Sequence, residues 1–261
     1  MILAFDPLNI EIWSAFLLIF ARMAAMVFMF PFFRYRGVPV LLRVWIAIII
    51  SFLLFMSLGE DLNTYSPGMI NMAMAFISEV LIGLALGFLI MLFFSIFTMS
   101  GELVSRQAGL MFSRVFDPTF ENQVNVLGQF YSIIALVFYL TINGHHLLLK
   151  ALAESFRLIP LGVGLFVPEL TGGVVRLSAD VLLISFQISA PIIFILLTVN
   201  IALGLVAKTV PQVHIFMEAL PFKILLTMIL IALLLPFLGT LFPSLLEWFL
   251  GIFYKVMQGW S

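Results

Sequence analysis

The residues able to do chemistry are few, and the first two sit where chemistry is costly. Arg22 falls inside one apolar run and Glu79 inside another. An ionised side chain in such a place must pair, face a water-filled cavity or face a protein neighbour. Two readings follow. The two groups either pair with protein and orient an assembly, or belong to a proton or ion relay such as a secondary transporter uses. A relay needs several such groups spread over the helices, and this chain is short of them, so Arg22 and Glu79 are assigned as assembly contacts. His145 and His146 follow Asn143-Gly144 at a helix end. Neighbouring residues on a helix point about 100° apart, which makes the pair a poor metal clamp without further ligands. Interfacial hydrogen bonding, again as assembly contacts, is the favoured role. The chain has no cysteine, hence no disulfide or thiolate ligand. It also has no HExxH, no GxSxG elbow and no phosphate-cradling glycine loop. No catalytic residue, metal or cofactor is expected, and enzyme is a disfavoured class.

Composition explains this poverty. Of 261 residues, 64% are hydrophobic and 10% charged, against about 25% charged in ordinary soluble domains. The apolar excess predicts an all-α integral membrane protein. A net charge of −1 without a basic tail argues against a nucleic-acid partner. The opening MILAFDPLNIEIW has no basic region before its apolar run, and so reads as a first helix, not a signal peptide.

A spanning helix needs about 20 mostly apolar residues. Candidate spans run over about 12–33, 44–58, 69–99, 126–149, 181–206 and 224–253. Breakers separate them: Ser66-Pro67-Gly68, Asp117-Pro118, Asn143-Gly144 and Thr171-Gly172-Gly173. Pro191 and Pro236 lie within helical runs and are expected to kink them. Neither an internal repeat nor a soluble domain is visible, so residues 1–261 are read as a single membrane domain. Arg34, Arg36, Arg43, Arg106, Arg114, Lys208 and Lys223 lie in the odd loops, against Lys150, Arg157, Arg176 and Lys255 on the opposite side. That bias favours odd loops in the cytoplasm. Gly83 and Gly87 form a GxxxG pair, with Gly204 and Gly239 in later spans; small residues let helices approach closely.

Between the third and fourth spans runs SRQAGLMFSRVFDPTFENQVN, from Ser105 to Asn125. It is too polar for a span and too apolar for a solvated loop. Non-helical backbone at membrane depth is tolerated only where protein buries it or where it lines a cavity. Gly109, Leu110, Met111, Phe112, Val115 and Phe116 would make a soft, dewetted obstruction in a pore. Arg106, Arg114, Asp117, Pro118, Glu121 and Gln123 would anchor its base, and Pro118 would end it sharply by biasing Asp117 away from helix. The alternative is an amphipathic connector, and physics alone leaves both open.

The run from Gly109 through Asp117-Pro118 to Gln123 and Phe130 resembles the FliR family of flagellar export-gate proteins. NGHHLLLKALAESFRLIPLG, from Asn143 to Gly162, is similar to that family's most distinctive segment. RMAAMVFMFPFF with VPVLLR (Arg22 to Arg43), PQVHIFMEALPFK (Pro211 to Lys223) and the LPF ending at Phe237 extend the match in family order. Ala219 stands where the family more often has glycine. The resemblance implies a single-copy subunit of a type III export gate, assembled with FliP-like and FliQ-like subunits and joined by an FlhB-like one. Its fold would be helical hairpins, a FliP-like part fused to a FliQ-like part, within a helical hetero-oligomer in the bacterial inner membrane and flagellar basal body. Unfolded flagellar proteins would be the export substrates, and the loop at about 106–123 would plug the closed pore. The competing readings are the equivalent subunit of a virulence-type injectisome, a small-molecule secondary transporter, and a membrane scaffold without a channel. A transporter would show paired intramembrane charges and repeat symmetry, and neither is evident in the sequence.

Overall fold

The computed structural model describes residues 10–33, 37–58, 69–110, 125–162, 168–209 and 215–259. Its helices are α1 (Ile10–Met29), α2 (Val40–Leu58), α3 (Met69–Ala108), α4 (Val126–Thr141), α5 (Gly144–Leu158), α6 (Pro168–Thr209) and α7 (Ile215–Gln258). No strand occurs among the described residues, and the all-α expectation holds. Five of these helices are long and apolar enough to cross a membrane, and a sixth span forms if α4 and α5, bent by 76°, count as one.

The expected spans are all present, with shifted ends. α3 continues to Ala108 rather than stopping near Met99, because its buried face persists through Val104, Ser105 and Ala108. Hydropathy loses such a stretch when Glu102 and Arg106 occupy the other faces. The fourth run divides at Asn143, whose φ of 56° breaks the helix before Gly144, as the Asn-Gly pair predicted. The Thr171-Gly172-Gly173 run was expected to break the chain, but it lies within α6. There Gly173 faces Val256, whose Cγ2 would stand 2.9 Å from a Cβ, so packing overrides the local turn preference. Pro191 stays inside α6, and Pro221, Pro236 and Pro243 inside α7. The Ser66-Pro67-Gly68 and Asp117-Pro118 breakers lie outside the described residues, as do Arg34 and Arg36.

Contacts divide the chain into two compact units, Met1–Leu92 with His145–Leu177 and Phe249–Ser261, and Phe93–Gly144 with Ser178–Trp248. In the first, α1 buries Ala15, Leu18, Ile19, Arg22, Met23 and Met26, spaced three and four apart as one helical stripe. α2 packs on α1, with Phe16 edge-on to Phe55 at 5.9 Å. The GxxxG pair serves contact within the chain. A Cβ on Gly83 would collide with the Arg22 carbonyl oxygen, and one on Gly87 would stand 2.6 Å from Met29 Cβ. Gly204, by contrast, has open space around it. The second unit centres on aromatic rings. Phe242 of α7 meets Phe93 and Phe97 of α3 and Phe138 of α4 at 5.3–5.9 Å, and Phe94 meets Tyr139 at 5.4 Å.

Burial is uneven. The apolar window of α3 is 56% buried, that of α6 only 11% and that of α7 17%. α3, α6 and α7 hold 40, 42 and 44 residues, so each is about 60–66 Å long at 1.5 Å per residue. The hydrocarbon layer is about 30 Å thick.

Candidate functional site

In the first unit, Arg22 and Glu79 find each other. Arg22 Nε donates to Glu79 Oε2 at 2.5 Å, and both side chains are fully buried. The rest of the guanidinium is turned on the end of α5. Nη1 donates to Ser155 O at 3.1 Å, with Ser155 Oγ at 3.5 Å, and Nη2 donates to Ile159 O at 3.1 Å. The Phe156 ring lies flat beneath, 4.2 Å from the guanidinium carbon, within the range of a cation–π contact. Glu79 Oε1 accepts from the Gly162 amide at 3.0 Å. The chemistry of the arrangement follows from helix termini. The last carbonyls of a helix carry partial negative charge. Ser155 O already accepts from the Ile159 amide at 2.9 Å, and where hydrocarbon offers no water the guanidinium adds a second donor there and supplies one to Ile159 O. A planar guanidinium with five donors in a fixed fork suits that end. The pair thus joins α1, α3 and the end of α5 with its charges balanced. Among the described residues, every group meeting it is a backbone amide or carbonyl, a hydroxyl or an aromatic ring, which is the chemistry of a clamp.

His145 and His146 stand at the start of α5, their rings 4.1 Å apart. His145 Nδ1 is buried without a hydrogen-bond partner. Among the described residues no group of three His, Cys, Asp or Glu is placed to hold a metal ion.

In the second unit lie the two helix ends that bracket residues 111–124. α3 ends where Gly109 takes a φ of 85° and its amide donates to Arg106 O at 3.2 Å. That left-handed conformation suits glycine. Gly109 is buried and Arg106 exposed, the latter in the last turn of α3, where a cation faces the negative end of the helix. α4 begins at a capped turn, with Asn125 extended and its side chain accepting from the Gly128 amide at 3.2 Å. Leu110 is half-buried. The other residues assigned to the plug and its anchors, Met111, Phe112, Arg114, Val115, Phe116, Asp117, Pro118, Glu121 and Gln123, lie outside the described residues.

Sequence reasoning assigned no role to Ser155, Phe156, Ile159 or Gly162, although all lie in the Asn143–Gly162 segment. Three of the four meet the clamp through backbone atoms, which leave no trace in residue type. Gly101 and Gly128 were missed as well. The signal there was an isolated glycine inside a helical run, which marks close approach. A Cβ on Gly101 would stand 2.5 Å from Leu127 O.

Residues 13–248 match the family described as Bacterial export proteins, family 1. Among curated relatives, the flagellar biosynthetic protein FliR of Bacillus subtilis (strain 168) is 33% identical over 225 residues, 85% of this chain and 86% of the relative. That of Pectobacterium carotovorum subsp. carotovorum is 29% identical over 90% of this chain and 89% of the relative. The FliR protein of Escherichia coli (strain K12) is 29% identical over 89% and 86% respectively.

Proposed function

We propose a channel-sealing role for this chain on the premise that it belongs to the FliR family of bacterial export proteins. Membership makes it an export component of flagellar biosynthesis, and its apolar helices make it a multi-pass membrane protein. Beyond that, our reading is a subunit of the type III export gate in the inner membrane and flagellar basal body. It assembles with FliP-like, FliQ-like and FlhB-like subunits, and it forms and seals the path for unfolded flagellar proteins. It performs no hydrolysis; the proton-motive force and a separate ATPase supply the energy. Arg22 and Glu79, fully buried within the chain, support the assembly indirectly by holding the subunit's own helices together, and His145 and His146 support it as contacts.

The observation that carries the sealing role is the sequence between the two well-defined helix ends. α3 stops at a left-handed glycine, and α4 starts at a capped asparagine. The intervening stretch is rich in Met and Phe, in a chain that otherwise crosses lipid. Such a stretch can be displaced by a passing chain and can exclude water when the path is idle. The need is real, since each charge leaking down 100 mV dissipates about 2.3 kcal/mol. Arg106, Arg114, Asp117, Pro118, Glu121 and Gln123 hold its base.

The test is removal of residues 110–115 in the assembled complex, followed by ion conductance or solute-induced swelling in liposomes and cells. The shortened variant should assemble and leak without export substrate, while still passing substrate. An assembled complex no leakier than the parent would make the stretch a mere connector.

A further inference from the structure

We infer that Gly101 and Gly128 are positioning residues for the seal: their backbone contact sets how far apart the two helix ends stand that bracket residues 111–124. The inference rests on the sealing role proposed above, but its geometry lies wholly in described residues of the second unit. α3 is held on two sides at one level. Towards α6, Ser100 Oγ donates to Ser185 O at 3.1 Å, and Ser185 Oγ donates to Ile96 O at 3.0 Å. Both serines are fully buried, and these reciprocal bonds pin that turn of α3. Towards α4, the next residue, Gly101, comes backbone to backbone. A Cβ on it would stand 2.5 Å from Leu127 O and 2.8 Å from Gly128 Cα. Gly128 reciprocates, its own Cβ position lying 3.1 Å from Thr98 O and 3.2 Å from Glu102 Cγ.

Backbone atoms cannot swing aside as a side-chain tip can. Any side chain at Gly101 must therefore separate α3 from α4, and the serine bonds oppose yielding towards α6. Gly128 has a second task, since its amide is the donor that Asn125 caps. The start of α4 and its crossing with α3 are thus fixed by one residue. From the crossing, α3 runs seven more residues to Ala108, about 10 Å of helix, so a displacement at Gly101 is carried to Gly109. Glycine is a poor residue inside a helix on local grounds; close approach accounts for it here at both positions.

The chain contains no cysteine, so Gln107→Cys and Val126→Cys give a defined spin-label pair in a complex assembled with partner subunits whose own cysteines have been replaced. Ordinary contact begins at 3.4 Å, so Gly101→Ala must part the helices by about 0.9 Å. The label distance should lengthen by at least that amount. Conductance should rise several-fold towards that of the variant lacking residues 110–115, and Gly101→Ala should add nothing in that background. If Gly101→Ala fails to assemble, Gly128→Leu presses on Thr98 and Glu102 from the other side and should give the same pair of changes. An unchanged label distance in an assembled complex overturns the inference. So does a lengthened distance without leak when the shortened variant leaks, a result that leaves the sealing role standing. Absence of leak from the shortened variant itself overturns the sealing role, and the positioning role with it.

Discussion

Replacing Arg22 with methionine keeps the length of the apolar stem and removes every guanidinium contact. Glu79 is then left with the Gly162 amide as its partner, and the Ser155 and Ile159 carbonyls lose the donors that reach them from α1. Breaking a buried ion pair by removing one member costs about 3–5 kcal/mol, because the other charge stays buried and uncompensated. At 1.4 kcal/mol per tenfold, that is about two to three and a half decades in the equilibrium favouring the folded subunit. Glu79→Gln strands the guanidinium instead and should cost a similar amount. The double replacement, Arg22→Met with Glu79→Gln, removes both charges. The new side-chain amide oxygen can still accept from the Gly162 amide, and Ser155 O keeps the Ile159 amide, so the main loss is the donor to Ile159 O, at about 1–3 kcal/mol. The double variant should therefore be more stable than either single one. The assay is the fraction of co-expressed complex surviving graded heating in detergent, with export per assembled complex measured across pH in parallel. Export per complex should keep its proton dependence in all three. If the two single losses simply add in the double variant, the pair is not coupled. If Glu79→Gln assembles at parental yield yet loses proton dependence, Glu79 is a relay and the clamp reading is wrong.

Two further outcomes are expected. Gly83→Leu should cut recovery of the subunit sharply, at a cost of several kcal/mol, because its Cβ would collide with the Arg22 backbone; Gly204→Leu, in open space, should leave yield near parental, and equal losses at the two sites would refute this contrast. On the proposed gate role, the chain should also be recovered as one copy in a larger hetero-oligomer by native mass spectrometry; a stable functional monomer would refute that.

The apolar runs made the helices legible, because 20 residues without a charge have few other uses. Their ends were less so. α3 outlasts its hydropathy because Glu102 and Arg106 occupy faces that need not be apolar, while Val104 and Ala108 continue the buried stripe. The bend at Asn143 was readable from Asn-Gly, a pair that favours positive φ. The persistence of α6 through Thr171-Gly172-Gly173 was not, since it depends on Val256, which is remote in sequence. Arg22 and Glu79 announced themselves as costly, but nothing in residue type said that they would meet. Their further partners are carbonyls and an amide more than 80 residues away from one member or the other, and any residue but proline supplies both.

The distribution of proline gives the long helices unlike mechanics. Each internal proline deletes one hydrogen bond of the helical ladder and crowds the preceding turn. α6 has one such joint at Pro191, and α7 has three, at Pro221, Pro236 and Pro243. α3 has none across 40 residues. α3 is therefore a stiff strut and α7 an articulated rod of comparable length. Under a lateral load, curvature gathers at the four joints while α3 keeps its end-to-end distance.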